Sequence, residues 1–101
     1  MALARRADSP GILDCAVRVP PHVVYRTFAL ETVLVNLEKG LYHGVNPTGG
    51  RMLDVLGRAP TVRDAAARLA DEYAQPVETM EADLCAFCSD LLDRGLIEVR
   101  S

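Results

Sequence analysis

Cys85 and Cys88, spaced as Cys-Ala-Phe-Cys, are the residues of this sequence best equipped for chemistry. Such a pair holds zinc when a second pair completes the ligand set, and it exchanges disulfides when it opens a helix after a strand. Here it falls in mid-helix inside an apolar stripe, and Cys15, His22 and His43 stand at no ligand spacing around it. Two ordinary helical cysteines are the better reading, so no metal is expected. The odd count of three cysteines is not a disulfide framework either. His43 lies among apolar strand residues with no nucleophile or carboxylate placed beside it, which suits a structural or groove histidine better than a catalytic base. Thr48-Gly49-Gly50 lacks the lysine of a phosphate loop. Neither an enzyme nor a cofactor is expected.

The charged residues say more about partners. Between Val77 and Arg94 stand Glu78, Glu81, Asp83, Asp90 and Asp93, against Arg94 as the single base. A helix so acidic repels phosphates along its length, and the net charge of −3 points the same way. No nucleic-acid partner is expected. With no signal sequence and no apolar run of membrane-spanning length, the expectation is a soluble cytoplasmic protein that does not engage a membrane.

The elements that position these residues follow from period and punctuation. Val33, Val35 and Leu37 alternate with Thr32, Leu34 and Asn36, and Glu38-Lys39-Gly40 offers a tight turn whose glycine can take a positive φ. The return arm is 41–45, and a β-branched and aromatic run at 23–28 completes a three-stranded meander. With Leu37 opposite Leu41, the residues Val33, Val35, Leu37, Leu41, His43 and Val45 share the face expected to meet helices. Leu34, Asn36 and Tyr42 take the other face.

Asn46-Pro47 is an N-cap followed by a first-turn proline, so a helix is predicted over 47–56, with Gly57 placed to end it. Gly49 and Gly50 would cost that helix about 1 kcal/mol each, so close approach to a neighbour is the better reason for them. Thr61 with Asp64 resembles a capping box before the stripe Val62, Ala65, Ala66, Leu69, Ala70 and Tyr73. Pro76 opens a third helix reaching Arg94 and stopped by Gly95, with Val77, Met80, Leu84, Phe87, Cys88 and Leu91 as its core stripe. Residues 96–99 suit a short strand or an extended tail.

The sum is an α+β domain, a three-stranded antiparallel sheet followed by three helices in the manner of a winged helix-turn-helix, over residues 19–101. Residues 1–18 are expected to be a flexible arm, ordered at most from Val17. A winged-helix transcription regulator is the alternative function, and its recognition helix would be the acidic one.

The run Leu37-x-x-Gly40-x-Tyr42-x-x-Val45-Asn46-x-x-Gly49 resembles the PqqD-like family. So do Thr61-Val62-x-x-Ala65-x-x-x-Leu69 and Ala82-Asp83-x-x-x-Phe87-x-x-x-Leu91-x-x-x-Gly95-Leu96. The resemblance implies a small winged-helix-like RiPP recognition element, itself non-catalytic, that binds the leader segment of a ribosomally made precursor peptide. The Gly-x-Tyr and Asn-Pro-Thr-Gly flavour is similar to the free-standing versions of lasso-peptide pathways, which implies a separate leader peptidase and a cyclase as further partners. A meander leaves an edge strand to which a peptide can add, main-chain bonds giving affinity and side-chain pockets selectivity. The expected groove has Leu41, Tyr42, His43, Gly44 and Val45 on its strand side, with Asp83, Phe87, Asp90 and Leu91 on its helix side. Its outward strand donors would be the N–H groups of Tyr42 and Gly44.

Overall fold

The computed structural model describes residues 9–29 and 31–100. A short helix α1 (Ser9–Leu13) and strand β1 (Ala16–Arg18) precede the meander β2 (Val23–Thr27), β3 (Thr32–Asn36) and β4 (Leu41–Val45). Helices α2 (Pro47–Arg58), α3 (Val62–Tyr73) and α4 (Val77–Asp93) follow, and β5 (Glu98–Arg100) closes the chain. The three-stranded antiparallel sheet has the order β2-β3-β4, so β2 and β4 are both edges. β5 pairs antiparallel with β1 in a separate two-stranded sheet.

The helices start where their caps dictate. Asn46 Oδ1 accepts the Gly49 N–H at 2.7 Å, and Thr61 Oγ1 accepts the Asp64 N–H at 3.1 Å. Helix α2 runs past Gly57 to Arg58, because the stop comes from Pro60, which holds Ala59 in extended backbone. Helix α4 ends in a Schellman motif. Gly95, at φ 71°, donates to the Leu92 carbonyl, and the Leu96 N–H reaches back to Leu91 at 2.9 Å.

Helix α3 closes with the same hydrogen bonds around Ala74, a non-glycine residue at φ 54°. The left-handed conformation costs an L-residue about 1–2 kcal/mol, part of which glycine would return as unfolded-chain entropy. Ala74→Gly is therefore expected to raise stability by about 0.5–1 kcal/mol, measured as a higher urea midpoint at unchanged slope.

The core is built by Leu34 from the sheet, Leu53, Val55 and Leu56 from α2, the small stripe Val62, Ala65, Ala66 and Leu69 from α3, and Met80, Leu84, Cys88 and Leu91 from α4. On the far side Arg51 donates to both Glu72 carboxylate oxygens and to Asp54, fastening α2 to α3. That hydrogen bonding holds the Glu72 carboxyl below its ordinary range.

Two further expectations change. Residues 9–18 are not a free arm: Val17 is buried, β1 pairs with β5, and the Cys15 carbonyl accepts the first N–H of α3 at 2.8 Å. Residues 1–8 of the expected arm lie outside the described residues.

The hairpin register also differs by one residue. Asn36, not Leu37, stands opposite Leu41. The cause is Asn36 itself, buried, whose Oδ1 accepts the Glu38 and Lys39 N–H groups at 3.0 and 3.1 Å while its carbonyl accepts Gly40 N–H at 2.7 Å. This side-chain turn makes the loop four residues long rather than three. A slip of one residue exchanges the faces of a strand. Thr32, Leu34 and Asn36 accordingly face the helices, Val33 and Val35 lie half-buried on the outer face, and Leu37 is exposed.

Candidate functional site

Strand β4 and helix α4 enclose a trough on the helix side of the sheet. Its upper hollow, about 420 Å³, is lined by Val45, Asn46, Thr48, Gly49 and Met52 on one wall and Asp83, Ala86, Phe87 and Asp90 on the other. A lower hollow of about 260 Å³ is lined by Asn36, Lys39, Leu41, Tyr42 and His43, facing Asp93, Arg94 and Leu96. At 100° per residue, positions 83, 86, 87, 90, 93 and 94 fall on one face of α4, so a single helix face walls both hollows.

Strand alternation explains the other wall. Leu41, His43 and Val45 pair with Asn36, Leu34 and Thr32, the residues of β3 that face the helices. Gly49 lets the first turn of α2 come close, since a Cβ there would lie 3.1 Å from Val45 Cβ and 3.3 Å from Phe87 Cε1. The Asn46 cap thus brings the floor of the upper hollow to the end of β4.

The free edge of β4 can be phased from the sheet's own hydrogen bonds. Phe28 N–H donates to the Glu31 carbonyl and Leu37 N–H to the His22 carbonyl, both at 2.7 Å. Glu31, Val33, Val35 and Leu37 therefore turn their main-chain groups toward β2, and Thr32, Leu34 and Asn36 turn theirs toward β4. Leu41, His43 and Val45 bond inward in reply. The N–H groups of Tyr42 and Gly44 point outward, as expected from sequence in spite of the different register. Residues 96–99 do not cover this edge, because β5 is spent on β1.

Of the expected site residues, Leu41, Tyr42, His43, Val45, Asp83, Phe87 and Asp90 line the trough, and Gly44 lies on its open edge. Leu91 does not. It is fully buried in the core, one position past the face that Asp90 presents, so it supports the wall from behind. Sequence reading did not count Asn46, Thr48, Gly49, Met52 and Ala86 among the site residues, nor Asn36, Lys39, Asp93, Leu96 and Arg94, the last on the same helix flank as Asp83 and Asp90. The i, i+3, i+4, i+7, i+11 pattern from Asp83 would have found Ala86 and Arg94, whereas Met52 enters only through the tertiary meeting of α2 and α4.

The trough's electrostatics are uneven. Asp90 is paired with Arg94 at 3.0 Å, both about half exposed, while no described residue bonds the Asp83 side chain. Behind the wall, burial and the neighbouring Cys85 push the Cys88 thiol up to about 12, so it stays protonated and unreactive at neutral pH. Among the described residues no cluster of three or more His, Cys, Asp or Glu side chains is arranged to hold a metal ion. No helix among them is long and apolar enough to cross a membrane.

Comparison with known proteins agrees with this architecture. No curated protein matches the chain. Among solved structures, "TbiB1 in Complex with the TbiA(beta) Leader Peptide" superposes with a TM-score of 0.74 at 26% identity, over 83% of this chain and 98% of that one. "Lasso peptide synthetase B1 complexed with the leader peptide" gives 0.74 at 23% identity over 82% and 98%, a likeness of fold. The family model for coenzyme PQQ synthesis protein D matches residues 31–97, which takes in β3 and β4 of the meander, the three long helices and both walls of the trough. By that match, spanning well over half of its length, the chain belongs to the PqqD family.

Proposed function

We propose that this protein is a non-catalytic recognition element that binds the leader segment of a ribosomally made precursor peptide and delivers it to a leader peptidase and other maturation enzymes, in a pathway of the lasso-peptide type. The observation that carries the proposal is the open edge of β4, with two outward donors beside an apolar trough. An extended peptide added there gains main-chain bonds from Tyr42 and Gly44. Its alternate side chains drop toward Val45, Gly49, Met52 and Phe87. The leader peptides named in the two solved relatives support the same class of ligand.

Titration with the leader of the precursor encoded beside this gene, set against a random duplex at low salt, tests the proposal. Saturable leader binding with negligible duplex binding is expected, and tight salt-sensitive duplex binding would overturn it. In the same assay Phe87→Ala is expected to weaken the leader by about 1–2 kcal/mol, as loss of a half-buried aromatic anchor. Asp83→Asn with Asp90→Asn should cost less than about 1 kcal/mol even toward a lysine-bearing leader, because both carboxylates are exposed. If Phe87→Ala lowers only the melting temperature, Phe87 is core rather than trough wall.

A further inference from the structure

Every second residue of a strand added to β4 projects away from the trough, onto the outer face of the sheet. At this edge that face carries the carboxylate of Glu31. A Cβ built on Gly44 would lie 2.8 Å from Glu31 Oε2, so the carboxylate occupies the space that a side chain at position 44 would fill. Glu31 is exposed, and no ion pair among the described residues engages it. The main-chain phase derived above makes Gly44 the centre of a hydrogen-bonded pair with a strand added antiparallel to β4. The incoming residue then sits with its Cα about 5.5 Å from that of Gly44, its side chain on the outer face about 5 Å from the vacant Cβ position. A lysine or arginine at that position spans the remaining distance to the carboxylate. An aspartate or glutamate there meets a like charge across the pair.

We propose that Glu31, lying over Gly44, is a specificity determinant that selects a cationic side chain at the leader residue paired with Gly44, so that the leader is read on both faces of the added strand. The inference rests on strand addition at β4 and adds a determinant outside the trough. The glycine and the glutamate act as one device, since any larger residue at 44 displaces the carboxylate.

A displayed library of random short peptides, selected in parallel on the full wild-type chain and on Glu31→Lys, tests this without knowing the natural precursor. Peptides whose binding is abolished by Gly44→Pro are kept from each pool. Wild-type peptides are expected to be enriched in lysine or arginine at one fixed position, and Glu31→Lys peptides in aspartate or glutamate at that same position. Changing the basic residue to glutamate in a synthetic wild-type peptide should lower affinity about fivefold, the upper range for an exposed ion pair, and Glu31→Lys should restore it. Gly44→Pro-sensitive peptides with the same charge preference on both proteins would overturn the role of Glu31 and leave strand addition standing. Pools containing no Gly44→Pro-sensitive peptide would overturn both.

Discussion

Proline at Gly44 is expected to leave the protein folded and to weaken leader binding by about 10- to 100-fold, while proline at His43 is expected to unfold the sheet. The two positions are neighbours with opposite hydrogen-bond directions. The Gly44 N–H points to solvent, so its loss costs the free protein nothing, and the ring meets only the flexible end of the Glu31 side chain. In the complex the same substitution removes a main-chain bond worth about 1 kcal/mol and puts a ring in the path of the added strand. The His43 N–H is spent on Leu34, a fully buried residue of the central strand, and proline there strands a buried carbonyl. Leader affinity and circular dichroism, recorded for both variants side by side, decide the matter. A folded Gly44→Pro protein that binds leader at full strength rules out strand addition at this edge.

The second large effect is on stability. Alanine at Gly50 is expected to destabilise the fold by about 2 kcal/mol, although alanine is the better helix former by about 1 kcal/mol. Its Cβ would lie 2.2 Å from Thr32 Oγ1 and 3.0 Å from Thr32 Cβ. Thr32 is fully buried and its hydroxyl is hydrogen-bonded to that of Thr27 at 3.1 Å, so turning it away from the new Cβ means giving up that bond. Either α2 lifts from β3 or the hydroxyl pair breaks. Gly57, in the same helix with nothing within 4 Å of its Cβ position, is the control. Gly57→Ala should stabilise by about 0.5–1 kcal/mol in the same urea titration. Equal midpoints for Gly50→Ala and the wild type would mean that α2 is free to move away from the sheet.

These cases show which parts of the structure the sequence discloses. Caps and stripes are local, so Asn46, Thr61 and the apolar spacing of α3 placed the helices, and Gly49-Gly50 declared a close approach before its partners were known. Register is local too, but it was decided by Asn36, which occupies a position where alternation alone reads a polar residue as facing solvent. Its side chain instead organises the turn from inside, and the more apolar set, Val33 and Val35, ends up outside. Leu91 was misplaced for a related reason. The wall of the trough and the core stripe lie side by side on α4, and one residue of phase separates Asp90 from a side chain with no exposure. The N-terminal pairing was illegible, since three residues of β1 carry no signal of a partner at the far end of the chain.

That last pairing has a consequence for the order in which the fold is assembled. The meander and the α3–α4 pair join elements adjacent in sequence, whereas Arg18 and Glu98, a β1–β5 pair also joined by a salt bridge, stand 80 residues apart. Closing a flexible loop of that length costs about 4 kcal/mol in chain entropy if nothing between the ends has yet formed. Once the meander and helices exist, the connection is already short and most of that cost has been met. The β1–β5 clasp is therefore the natural last step of folding, and its strands contribute no residue to the walls of the trough.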